Sequence, residues 1–387
     1  MRVRLGVDVF LEDPEGFLGG ARFGLVTNPS GVTGSLEPTL DALQARHTHL
    51  RAVFGPEHGA AGAAQDAVEV PHATDPHTGL PVYSLYGETR KPTAEMLDGL
   101  EALVFDIQDV GSRYYTYVST MALCMEACEE HGLEMLVLDR PNPLNGVAVE
   151  GGLLEPGYTS FVGWAPTPIR HGLTVGELSL LLNEGVGCRL RVAEMEGWVR
   201  EMWFDETGLQ WVAPSPNMPT LETATVYPGT CLVEGVNLSK GRGTTKPFEV
   251  VGAPWLDGRK LARHLNKQGL EGVVLRPCCF TPVFSKYAGQ LCQGVQLHVV
   301  DRASFKPVET GLRLLAEALA MHPEEFRFLE PSYDSRPHFD LLVGNSWVRQ
   351  ALLDGVEVGE IVEGWRNGLE AFKLERERFQ LYGGRGE

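Results

Sequence analysis

Along the first half of the chain, apolar residues gather in short runs that end at Gly, Pro, Asn or Asp. Phe23–Thr27, Leu50–Phe54, Pro81–Tyr86, Ala102–Ile107 and Glu134–Leu138 are of this kind. Short apolar runs bounded by turn residues predict strands buried on both faces. Between them the apolar positions fall at helical spacing over Leu36–Arg46, Thr93–Leu100 and Thr116–His131, the last closed by Gly132. Strands alternating with helices of this length predict βαβ units around a parallel sheet. The stretch from Gly55 to Leu80 has no clear period and reads as a loop or lid over a site.

After Leu144 the pattern loosens. Thr174 to Leu182 predicts a helix with Thr174 as N-cap and Glu177 completing a capping box. Leu190–Met195 reads as an edge strand, and Trp211–Thr220, with three prolines around Asn217, as a rigid crossing between domains. Beyond it, a helix from Asp257 to about Gln268, strands Val273–Pro277 and Gly294–Val300, and helices Pro307–Met321 and Val356–Phe379 describe a smaller α+β unit. The predicted fold class is α/β, with one domain over residues 1–225 and a second over 226–387, and 387 residues are enough for both to have cores.

A formal charge of −18 disfavours nucleic acid and anionic membrane surfaces as partners. No apolar stretch approaches the roughly 18 residues that cross a bilayer. Asp8, Glu12 and Asp13 interrupt the start before a leader's apolar region can form. Seven cysteines, an odd number without zinc spacing, fit a reducing compartment. The expected location is cytoplasmic.

Candidate chemistry lies at the strand ends, where open parallel sheets bind ligands. Strand Leu50–Phe54 runs into Gly55-Pro56-Glu57-His58. Ala102–Ile107 leads to Gln108, Asp109 and then Arg113, Tyr114, Tyr115 and Tyr117. Glu134–Leu138 leads to Asp139, Arg140 and Asn142. On a strand the three tyrosines would alternate sides, so not all are expected to face one site. The Gly-rich basic loop Ser239–Lys246 offers a nest for an anion. No G-x-G-x-x-G follows the first strand, and no Walker loop or G-x-S-x-G elbow is present, so neither dinucleotide binding nor an α/β-hydrolase serine fits. His58, His72, Asp75 and His77 match no standard metal spacing, and neither a metal nor a cofactor is expected. Carboxylates remain. Glycoside hydrolysis needs a general acid and a group that stabilises or traps an oxocarbenium-like centre. Glu57 is the natural acid, and Asp106, Asp109 and Glu150 are candidates for the second role. Asp106 is also readable as an acid that hydrogen-bonds neighbouring loop N–H groups and pairs with Arg113.

The runs Gly24–Gly31, Phe54–Gly59, Val104–Gly111, Leu138–Pro143, Arg170–Gly172, Pro214–Thr220 and Glu234–Thr244 together resemble the NamZ-like exo-β-N-acetylmuramidases, glycoside hydrolase family 171, long known as a domain of unknown function. The resemblance spans nearly the whole chain in order. It implies a Rossmann-like domain, a smaller second domain and a site in the cleft between them. It also implies release of terminal non-reducing β-linked N-acetylmuramic acid from peptidoglycan fragments, with muramyl saccharides as partners. Glu57 matches the family's proposed catalytic glutamate. Asp106 and Tyr115 are then the candidates for the second catalytic group. His58, Asn28, Gln108, Arg113 and Arg140 are expected to line the cleft, with Asn142, His171, Asn217, Glu234 and Arg242. Glu57 is expected to face Glu234 or Arg242 across it, and Arg113, Arg140 or Arg242 to hold the lactyl carboxylate. The alternatives are a non-catalytic cell-wall sugar-binding protein and a metal-dependent hydrolase.

Overall fold

The structure, a computed structural model, describes residues 2–46, 48–62, 71–331 and 334–385. Seven strands form the first sheet: β1 (Phe23–Thr27), β2 (Leu50–Gly55), β3 (Ala73–Thr74), β4 (Pro81–Ser84), β5 (Ala102–Asp106), β6 (Glu134–Leu138) and β7 (Arg189–Ala193). Their order is β3-β4-β2-β1-β5-β6-β7, parallel throughout except for the short β3 against β4. The chain builds outward from β1 through β2 to β4, then returns to β5 on β1's other side. That reversal is the switch point at which doubly wound sheets open a crevice.

Both faces are covered, which is why the central strands are continuously apolar. One face packs under the early helices Gly6–Phe10 and Pro14–Leu18 through Phe10, Leu25, Val104 and Leu138. The other packs on Tyr117–His131, with Cys124 and Cys128 buried, and this core continues without a break into the second domain. The predicted capping box forms: Thr174 Oγ1 accepts from Glu177 N and Glu177 accepts from Thr174 N, and the helix runs on to Val186.

The second domain holds β8 (Val250–Ala253), β9 (Val273–Phe280) and β10 (Cys292–Val299) in the antiparallel order β8-β10-β9. Asp257 caps Gly258–Lys267 as predicted. Tyr227-Pro228-Gly229 lies within a helix, Leu221–Thr230, which also spans residues 225 and 226. One element differs from expectation. The single helix expected over Val356–Phe379 is broken at Trp365 into Val358–Gly364 and Arg366–Arg376. Trp365 is buried against Gly152, where an added Cβ would lie 2.6 Å from the indole nitrogen.

Gly229 and Gly311 let the helices Leu221–Thr230 and Pro307–Met321 cross with backbones in contact. A Cβ on Gly229 would stand 1.8 Å from Pro307 O, and one on Gly311 would stand 2.4 Å from Gly229 O. The C-terminal segment then returns to the first domain. Arg376 donates to carbonyls of Gly146, Val147, His171 and Gly172. Leu381 N donates to Glu177, and Tyr382 Oη donates to Asp139 Oδ2 at 2.6 Å while accepting from Met195 N. No helix of the described residues is long and apolar enough to cross a membrane.

Candidate active site

The turn after β2 is tightly constrained. Gly55 passes so close to the returning chain that a Cβ would lie 2.3 Å from Ala60 N. Gly59 N donates to Pro56 O at 2.8 Å, and His58 and Gly59 both take left-handed conformations, with φ of 73° and 76°. Such a conformation is uncommon for a residue with a side chain and is maintained only by surrounding structure. The turn presents Glu57, and Thr116 Oγ1, one residue before the helix Tyr117–His131, donates to Glu57 Oε2 at 2.7 Å.

Glu57 and His58 line a cavity of about 410 Å³, within the usual size range of small-ligand sites. Both domains build it. The first contributes the ends of β2, β4 and β5, with Asn217 from the Pro-rich crossing. The second contributes Tyr227, Glu234, Arg242, Phe248 and His338. Tyr114, Tyr115 and Tyr117 all line it, against expectation, because they lie in a turn entering a helix, where strand alternation does not apply. They form an edge-to-face array with Tyr227 and Phe248, with centroids 4.8–5.8 Å apart. The hydroxyls of Tyr114 and Tyr117 donate to Pro228 O and Pro214 O. Burial first, and then the charge of Glu57, push the Tyr117 phenol above its ordinary value. Two buried cavity atoms, Tyr115 Oη and Asn217 Nδ2, have no hydrogen-bond partner among the described residues.

Glu234 anchors the opposite wall. Arg242 Nη2 lies 2.9 Å and Lys240 Nζ 3.1 Å from its Oε1, and His338 Nε2 lies 3.6 Å from its Oε2. Burial alone would raise its pKa, but Lys240, Arg242 and His338 outweigh it and hold it well below the carboxylate range. The basic loop is therefore spent on internal carboxylates, since Lys246 pairs with Glu249 as well.

The remaining expected residues do not line this cavity, and their partners explain why. Asp106 is fully buried and pairs not with Arg113 but with Arg140, whose Nε meets Oδ1, while Thr39 Oγ1 meets Oδ2, both at 2.6 Å. Arg113 donates to carbonyls of Gly152, Thr167, Leu342 and Val343, tying the two domains together. Asn28 Nδ2 donates to Pro214 O, Gln108 to Pro141 O and Asn142 to Leu173 O, each fixing a loop. His171 is buried 3.7 Å from Asp109. Burial, then Arg376, Arg113 and Arg170, lower its pKa to about 3 and keep the ring neutral. Glu150 accepts from Glu309 N at the start of Pro307–Met321. His72 accepts from Ser84 N and Asp75 from the turn at His77–Thr78. Among the described residues, no group of three or more His, Cys, Asp or Glu is arranged to hold a metal ion. Of the Gly55–Leu80 stretch, read from the sequence as a loop or lid, residues 63–70 lie outside the described residues.

Arg90, Phe161 and His338 line the cavity yet lie outside every motif noted in the sequence. Ser215 and Met218 flank Asn217 in the Pro-rich run, where a signal was present.

A carboxylate held at a strand end, aromatic walls and buried donors in a two-domain cleft define the site class of a carbohydrate-active hydrolase. Comparison with known proteins agrees. The family described as exo-β-N-acetylmuramidase NamZ matches over residues 23–222 for its N-terminal part and 225–382 for its C-terminal part. A peptidoglycan β-N-acetylmuramidase NamZ of Bacillus subtilis (strain 168) is 48% identical over 384 residues, covering 98% of this chain and 92% of that protein. Two crystal structures of DUF1343 family proteins from Bacteroides fragilis NCTC 9343 share the fold. One has a TM-score of 0.91 at 39% identity, covering 98% of this chain and 99% of its own. The other has a TM-score of 0.80 at 30% identity, with both chains fully covered. The chain belongs to the NamZ family of exo-β-N-acetylmuramidases.

Proposed function

We propose that this cavity is where the protein, an exo-acting glycosidase, releases terminal non-reducing β-linked N-acetylmuramic acid from peptidoglycan fragments, with Glu57 as general acid. Family membership across both domains and 48% identity to the Bacillus subtilis muramidase support the activity. The roles rest on one observation: Glu57, fixed by Thr116, shares its cavity with two buried polar atoms that no described residue satisfies, Tyr115 Oη and Asn217 Nδ2. Buried polar atoms are normally satisfied, so donors left over in a cavity point to a ligand.

In this reading Glu57 gives its proton to the glycosidic oxygen as the bond to the anomeric carbon breaks. Tyr115 and Asn217 donate to sugar oxygens, and water adds at the anomeric centre, returning a proton to the Glu57 carboxylate, which so acts as acid and then base. Burial first, and then Tyr117, raise the Tyr115 phenol well above its ordinary value, so it keeps its proton and acts as a donor rather than a nucleophile. Asp106 takes no part, because both its oxygens are bound inside the fold. Residues 1–225 form one wall and 226–387 the other. A cytoplasmic location is supported by the seven cysteines, all free thiols; fractionation with an activity assay tests it.

The mechanistic test is Glu57→Gln. General acid catalysis contributes roughly 10² to 10⁴ in rate. kcat should fall by about that factor on a natural disaccharide, whose leaving sugar needs protonation, and by much less on a nitrophenyl muramide, whose phenolate leaves unaided. A folded variant with near-normal rates on both would remove Glu57 from the mechanism.

A further inference from the structure

Among the cavity's Arg and His side chains, Arg90 is set apart by what it touches. Arg242 and His338 are both directed at Glu234, at 2.9 and 3.6 Å. Arg90 instead sits over a pair of rings in mutual contact: its guanidinium carbon is 4.2 Å from the Phe161 centroid and 5.4 Å from that of Tyr86, and the two centroids are 6.0 Å apart. Among the described residues, no carboxylate or carbonyl accepts a hydrogen bond from it.

The two rings come from separate, anchored elements. Tyr86 follows β4, where Tyr86 N donates to Ser84 Oγ at 3.2 Å. Phe161 lies in a loop closed by a Ser160–Gly163 backbone pair, and Ser119 Oγ donates to Phe161 O at 2.8 Å. The guanidinium is therefore oriented by aromatic packing rather than by an ion pair. A guanidinium held by ring contacts keeps its N–H groups for a planar acceptor, which a carboxylate matches with two parallel hydrogen bonds.

The muramidase reading supplies such an acceptor. N-acetylmuramic acid differs from N-acetylglucosamine by a lactyl ether that carries a carboxylate. In a protein with a net charge of −18, that carboxylate needs a local cation. Of the arginines expected from the sequence to hold it, Arg113 and Arg140 are committed inside the fold and Arg242 is paired with Glu234. We propose that Arg90, held over the Phe161–Tyr86 ring pair, recognises the lactyl carboxylate and sets the enzyme's preference for muramyl over uncharged sugars. This inference rests on the muramidase reading.

The test uses two nitrophenyl β-muramides, one with the free lactyl acid and one with the lactyl group converted to its primary amide. The quantity read is the ratio of kcat/KM for acid to kcat/KM for amide, in the wild type and in Arg90→Ala, with melting curves for both. A charge-assisted, two-point contact predicts that the substitution lowers this ratio about tenfold to a hundredfold. A wild-type preference for the acid with a fall of about fivefold or more in the variant supports the proposal. A smaller fall, or a wild type that cleaves acid and amide equally well, overturns it while leaving the muramidase reading intact. A wild type that cleaves neither overturns both.

Discussion

Both carboxylate oxygens of Asp106 are taken, one by Arg140 and one by Thr39, in a site without solvent. Replacing one partner of a buried ion pair costs roughly 3–5 kcal/mol because it strands the other charge. Asp106→Asn should therefore lower the melting temperature sharply while leaving kcat per folded molecule near that of the wild type; loss of kcat at unchanged stability would contradict this. Thr116→Val should do the reverse. It removes the hydroxyl that holds Glu57 Oε2 and costs no core volume, so kcat falls by about tenfold to a hundredfold with little change in melting temperature. At this scale the sequence was partly legible. Gly55-Pro56 announced a constrained turn, and the turn does deliver Glu57 to the cavity. Asp106, Arg113 and Arg140 looked the same as Glu57 because a polar residue at a strand end is written alike whether it faces substrate or a buried partner. Arg90 and Phe161 carried no signal, since their pairing exists only after distant segments meet.

The helix Leu221–Thr230 shows where local reading fails between elements. Pro228-Gly229 is a turn signal by composition, yet here the proline sits within a helix and its carbonyl accepts from the Tyr114 hydroxyl. Gly229 is required not for a bend but for contact with Gly311, a partner 82 residues away that no local pattern reveals. Gly311→Ala introduces a methyl 2.4 Å from Gly229 O and should cost about 1–3 kcal/mol as the helices separate. Because the displaced helix carries Tyr227 and holds Tyr114, KM should rise as well, which thermal melting and steady-state kinetics on one preparation will check. Elements defined by their own sequence were read well by contrast, among them the Thr174 capping box and the Pro307–Met321 helix.

For the whole molecule, buried carboxyls set the pH response. Burial raises Asp109, Asp139 and Glu150 to about 7 each, against about 4 in an unfolded chain. Between those values the folded protein retains protons that the unfolded chain has lost, so raising the pH favours unfolding. The melting temperature should fall from about pH 5 to pH 7 and then level, and Asp139→Asn should flatten that slope. Glu234, held low by its cations, acts in the opposite sense and weakens the fold only at strongly acidic pH. The return of Tyr382 to Asp139 has a consequence for biosynthesis. The first domain's sheet is complete by Ala193, but the hydroxyl that satisfies Asp139 and the amide that meets Glu177 belong to residues 382 and 381. On the ribosome the first domain must therefore wait, its buried acid without that donor, until almost all of the second has been synthesised. Translation runs from one end to the other, while the fold closes as a ring.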